Sequence, residues 1–139
     1  MSELTIRMGC EADLELLADL NQQLIEDEPH DNAMTVGELM ERMRHFIETA
    51  YKAYLFERGS EIIGYALVDH TRQPLYIRQF FICRDQRRNG YGKIAFGKLA
   101  ALLQTDQLDI EVMYWNEAAY AFWGSLGFRE RSIYMRLER

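Results

Sequence analysis

The sequence predicts one mixed α/β domain, and three observations carry that expectation. Segments that alternate polar and apolar residues, or are dense in aromatic and branched ones, recur at 3–8, 52–57, 61–69, 75–83, 108–113 and 133–137, as strands do. Between them, leucine, methionine and aromatic side chains return at helical spacing. Finally, 139 residues of which 48% are hydrophobic suffice for one core and leave no room for a second, so residues 1–139 are read as a single domain.

The elements follow in order. Leu4, Ile6 and Met8 share one side of a strand that Gly9 ends. From Glu11 onward, Leu14, Leu17, Leu20 and Leu24 fall on one helical face, and the helix stops before Pro29. Thr35 stands three residues before Glu38, the spacing of a capping box, and opens a second helix with Leu39, Met43, Phe46 and Ile47 inward. Three strands follow, the first two joined by a turn at Arg58, Gly59 and Ser60, and they are expected to pair antiparallel. A helix then runs to about Gln104, a short strand covers 108–113, and Asn116 opens a helix that Gly127 closes. The alternation at 133–137 predicts a last strand.

Charge and cysteine usage narrow the chemistry. The net charge of −6 argues against general nucleic-acid affinity, which draws mostly on phosphate neutralisation. No apolar run reaches the roughly 20 residues of a membrane span and no leader pattern precedes the first strand, so the chain reads as soluble and cytoplasmic. Cys10 and Cys83 lack any partner spacing and are expected as small buried residues, while His30, His45 and His70 share no ligand spacing; no metal site is predicted. Acids dominate 11–48, where only Arg42 and Arg44 oppose them, whereas Arg84, Arg87, Arg88, Lys93 and Lys98 face only Asp85 between 84 and 98. One region therefore suits a cation and another an anion.

The most informative segment is Arg87, Arg88, Asn89, Gly90, Tyr91, Gly92 and Lys93 between a strand and a helix. A helix N-terminus leaves backbone N–H groups unpaired and carries partial positive charge, and glycines let a diphosphate approach without meeting a Cβ. The same residues also fit a plain strand-to-helix turn. A dinucleotide site competes too, since 90–95 fits G-x-G-x-x-A with Glu111 at about the spacing of a ribose-binding acid; six polar residues between strand and glycine, and too few βαβ units, weigh against it.

These residues resemble the GNAT acetyltransferases. That family carries [Q/R]-x-x-G-x-[G/A] after its fourth strand, matched by Arg87, Gly90 and Gly92, and a later N-x-x-A helix ending in G-F, matched by Asn116, Ala119, Gly127 and Phe128. The resemblance implies a mixed, mostly antiparallel sheet of six to seven strands with splayed central strands, flanked by about four helices. It further implies acetyl-CoA as cosubstrate, with backbone groups of Phe80, Phe81 and Ile82 toward the pantetheine arm, Arg88 to Lys93 around the diphosphate, and Asn116 and Trp123 beside the cofactor. Asn116 serves equally as a helix N-cap.

Direct transfer to a primary amine needs a base and an acid. By the resemblance Glu111 is the candidate base, although a strand glutamate also reads as a solvated residue. The family's usual acid is a tyrosine seven residues after the motif asparagine, where this chain has Trp123; an indole N–H does not yield its proton at ordinary pH. Tyr120, one helical turn earlier, is the candidate replacement, with water as the other route and Tyr114 as a weaker third. The acidic run 25–31, with Glu26 and Glu28, falls where the family builds part of its acceptor site. If it lines the cleft, the acceptor is cationic: a small-molecule amine, a lysine or a peptide N-terminus. The alternative is a non-catalytic acyl-CoA sensor or interaction module. Strands late in the chain make a homodimer a reasonable expectation.

Overall fold

The computed structural model describes residues 3–28 and 32–139. Pro29, His30 and Asp31 of the acidic run lie outside the described residues. Among the described residues five strands form one sheet in sequential order: β1 (Leu4–Met8), β2 (Tyr51–Arg58), β3 (Glu61–Asp69), β4 (Leu75–Ile82) and β5 (Leu108–Asp109). The first four pair antiparallel and β5 joins β4 in parallel.

α1 (Leu14–Asp27) and α2 (Val36–Glu48) cover one face. Leu14, Leu17 and Leu20 of α1 and Met43 of α2 pack there against Leu55, Tyr65, Leu67 and Phe81. α2 begins where the spacing predicts: Thr35 Oγ1 accepts the Glu38 N–H at 3.2 Å, and the Glu38 carboxylate accepts the Thr35 N–H at 2.9 Å. α3 (Tyr91–Leu103) covers the other face, where Ala95 and Leu99 meet Phe56, Ile63 and Val68. α4 (Glu117–Ser125) starts at Asn116, whose Oδ1 accepts the Ala119 N–H at 3.0 Å, and ends at Gly127 in the left-handed region at φ 100°.

The mixed α/β class and the splayed, mostly antiparallel sheet stand, with five strands rather than six to seven. The strand expected at 108–113 is paired only over Leu108–Asp109, and 133–137 forms no strand. The two differences share one cause: β5 is an edge that a last strand would have to join, but Ile133, Tyr134, Met135 and Leu137 are 77–84% exposed and pair with no strand of the described residues. Without a partner for its N–H and C=O groups, the rest of the β5 segment stays irregular. Cys10, expected inside, is exposed at the turn after β1, while Cys83 is half-buried; both are free thiols.

Candidate active site

The site begins with a strand that loses its neighbour. β4 pairs with β5 only at Leu75–Leu108 and Tyr76–Asp109; from Ile77 onward that edge of β4 has no strand beside it. On its other side β4 stays paired with β3, but with a bulge: Leu67 faces Gln79 and Val68 faces Ile77, so Arg78 is the extra residue. A bulge sharpens the local twist, and it falls where the two central strands part. Glu111, one of the irregular residues after β5, is exposed on the far side of this gap, and its charge helps raise the Tyr76 hydroxyl pKa, although burial raises it more.

Close approach of β3 and β4 near the gap depends on a glycine. A Cβ at Gly64 would stand 2.1 Å from the Phe81 carbonyl oxygen, far inside contact distance. Next to it, Gln79 is buried and accepts a 2.7 Å hydrogen bond from the Tyr65 hydroxyl, which burial holds in its protonated form. The sequence reading missed both residues. Gln79 could have been found as a polar residue inside the apolar run Phe80, Phe81, Ile82 and Ile77; Gly64 could have been found as a lone glycine in a strand.

After Ile82 a short 3-10 turn, Arg84–Gln86, leads into the glycine loop. Arg88 at φ 67° and Gly90 at φ 78° are both left-handed, alternating with ordinary residues, an arrangement that turns successive N–H groups toward one side. The first helical bond of α3 runs from Ile94 N–H to the Gly90 carbonyl at 3.2 Å, which leaves Tyr91, Gly92 and Lys93 as the free N–H end of the helix. A Cβ at Gly90 would meet nothing within 4 Å, so the loop opens to solvent there. Arg88, Asn89 and Lys93 are exposed beside it, and Arg58 from β2 lies 5.1 Å from the Tyr91 ring centre, adding a cation the sequence did not place.

Two predicted contacts take other partners. Arg87 turns back under the loop, donating from Nε to the Ile82 carbonyl at 2.8 Å and from Nη2 to Asp27, the last residue of α1. Arg84 joins the same carboxylate at 2.6 Å. Burial pulls the Asp27 pKa up, but the hydrogen bonds from Arg87 and Arg84 outweigh it and hold the group below its ordinary range. Arg87 thus braces the loop against α1. Gly92 faces inward: a Cβ there would stand 3.1 Å from the Phe122 ring of α4, so this glycine serves helix packing as well as loop geometry.

Trp123 sits edge-on among Phe80, Phe96, Phe122 and Phe128, with ring centres 4.9–5.7 Å apart, a cluster that locks α4 over α3 and β4. Tyr120, on the same helix, is 55% exposed, and Tyr114 is 97% exposed. Glu26 is exposed and Glu28 half-buried at the end of α1, and the Glu28 charge reaches the Tyr65 hydroxyl. An open groove of about 730 Å³ runs along α2 from Met34 to His45, with Arg42 in its lining and no residue of the glycine loop. Among the described residues no three His, Cys, Asp or Glu side chains gather as metal ligands, and no helix is long and apolar enough to cross a membrane.

Residues 14–128 match the family described as Acetyltransferase (GNAT) family. No curated protein matches the sequence. Among solved structures, a possible acetyltransferase from Clostridium difficile 630 superposes with a TM-score of 0.81 at 17% identity, covering 98% of this chain and 97% of that one. The aminoglycoside N-acetyltransferase AAC(6')-Iy in complex with CoA gives 0.74 at 16% identity, with 100% and 97% covered. A predicted acetyltransferase with acetyl-CoA from Clostridium acetobutylicum gives 0.72 at 16% identity, with 98% and 96% covered. At these identities the likeness shows the fold.

Proposed function

We infer the function from one premise: the chain belongs to the acetyltransferase (GNAT) family, whose match spans residues 14–128. The reading we propose is transfer of an acetyl group from acetyl-CoA to a primary amine, by direct attack with both substrates bound. The observation that carries it is the continuity of the free β4 edge with the left-handed turn at Arg88 and Gly90, an extended backbone edge that leads straight to an open helix N-terminus.

These residues fit acetyl-CoA. The N–H groups of Tyr91, Gly92 and Lys93 and the nearby Arg88 and Arg58 suit a diphosphate, and the space over Gly90 admits one. The β4 edge at Phe80, Phe81 and Ile82 suits a chain bearing amides, although the Ile82 carbonyl is already bonded to Arg87. Asn116 and Trp123 flank that path from α4. Acetyl-CoA supplies the activated thioester; the protein supplies position and proton handling.

In this reading Glu111 at the gap takes a proton from the incoming ammonium, the neutral amine attacks the thioester carbonyl, and Tyr120 donates a proton to the departing thiolate. Glu26 and Glu28 at the end of α1 suit the positive charge of the incoming amine. The protein works in the cytoplasm, and the uncovered segment 133–137 suits a homodimer contact.

The test is thiol release with a panel of primary amines. We expect Glu111→Gln and Tyr120→Phe each to lower kcat by about 10²–10⁴-fold, with acetyl-CoA still bound. Unchanged kcat in either variant removes that residue from the mechanism. The enclosure of Trp123 by four phenylalanines, at the position the family usually gives to its acid, favours a second reading: an acyl-CoA sensor, which predicts binding without thiol release on any amine.

A further inference from the structure

The side of the gap that faces α1 and α2 also carries positive charge. Two guanidinium groups meet there over one aromatic ring: the Arg42 carbon of α2 lies 5.5 Å from the Phe46 ring centre and the Arg78 carbon of β4 lies 4.8 Å from it. Arg78 is the bulged residue at the point where β4 leaves β5, and it is followed by the buried Gln79. Arg42 is held by α1, donating from Nη2 to Oδ1 of the buried Asn21 at 3.0 Å, while its Nε is shielded from solvent and has no acceptor.

Cations brought this close repel one another, and the cost is normally offset by a carboxylate. Among the described residues no carboxylate forms an ion pair with either arginine: Glu41 pairs with Arg44, Glu38 caps α2, Asp27 holds Arg84 and Arg87, and Glu28 acts on the Tyr65 hydroxyl beside Arg42. Arg78 reaches only the Tyr51 hydroxyl, at a long 3.5 Å. Burial first, and next the charge of Arg78, lower the pKa of Arg42.

We infer that the acetyl acceptor is an amine that also carries a carboxylate, an amino acid or a close relative, and that Arg42 and Arg78 bind that carboxylate while the amine points into the gap between β4 and β5. The inference rests on the acetyl-transfer reading above and narrows its acceptor. In this arrangement the ammonium of a zwitterion meets the acidic end of α1, and its carboxylate meets Arg42 and Arg78. A guanidinium suits this task because its planar set of donors matches a carboxylate, and an aromatic platform such as Phe46 holds it in place.

The test is thiol release from acetyl-CoA by the whole protein, with the twenty common amino acids, their carboxamides and spermidine as acceptors, in the native chain and in Arg42→Gln and Arg78→Gln. Arg78 is exposed, so its variant reports binding even if Arg42→Gln folds poorly. We expect at least one amino acid to exceed its own amide in kcat/KM by about 10-fold or more, and that ratio to fall toward one in Arg78→Gln. Amides or spermidine turned over as well as the acids would overturn the inference and leave acetyl transfer standing, as would an acid preference that survives in both variants. No thiol release from any acceptor would overturn the acetyl-transfer reading itself, and the inference with it.

Discussion

Gly64 shows how a single residue can hold the geometry of a site without touching a substrate. It lets β3 and β4 approach where Gly64 pairs with Ile82, and its missing side chain is the space that the Phe81 carbonyl occupies. Gly64→Ala is expected to cost about 1–3 kcal/mol or more, because the neighbour is backbone and cannot swing away, and to lower the melting temperature with it. An unchanged melting temperature would mean the strands relax freely there. Other residue roles were readable in advance: Thr35 with Glu38, and Asn116, act as the caps their spacing announced. Arg87 was legible as part of the motif, but its partner, Asp27, is 60 residues away in sequence, and no local pattern reports a bond of that range.

At the scale of elements, the sequence patterns found α1 to α4 and β1 to β4 because each buries a periodic apolar face; most ends shift by a residue or two, while α1, expected from Glu11, starts at Leu14 after a 3-10 turn. They failed at β5 and at 133–137, where alternation is present and a partner is not. A strand is a property of two segments, and periodicity speaks for one. The link between α1 and the glycine loop is the element-scale feature with most consequence for binding. Asp27→Asn removes the charge that Arg84 and Arg87 share, freeing the loop that leads into α3. Partly exposed ion pairs contribute about 1 kcal/mol or less each, so we expect acetyl-CoA affinity to fall about fivefold. Calorimetric titration of the variant checks this, and unchanged affinity would mean the loop keeps its shape unaided.

For the whole molecule, the carboxylates set the response to acid. Asp13 is held at about 2, against 3.8 for a free group, first by hydrogen bonds from Arg7; Asp27, and Asp69 through Thr71, are also lowered. A lowered carboxylate stabilises the fold above its unfolded pKa and loses that contribution as pH falls through the folded value. His70 acts in the same direction, since burial first, and then Lys52, lower its pKa from 6.5, so protonation below that value favours unfolding. Urea midpoints should therefore decline as pH drops below 6.5 and steeply between 3.8 and about 2. Asp13→Asn should flatten the lower limb; an equally steep limb in that variant would assign the loss to other groups.

The account as a whole stands on the glycine loop as the place where a diphosphate meets an open helix end. Its most direct test is isothermal titration of acetyl-CoA into the native chain and into Gly90→Asp, whose side chain would point into empty space and put a carboxylate beside Arg88 and the α3 N–H groups. We expect saturable one-to-one binding to the native chain, no detectable binding to the variant, and matching circular dichroism for both. Equal affinity in the two proteins, or no binding to the native chain, would contradict it.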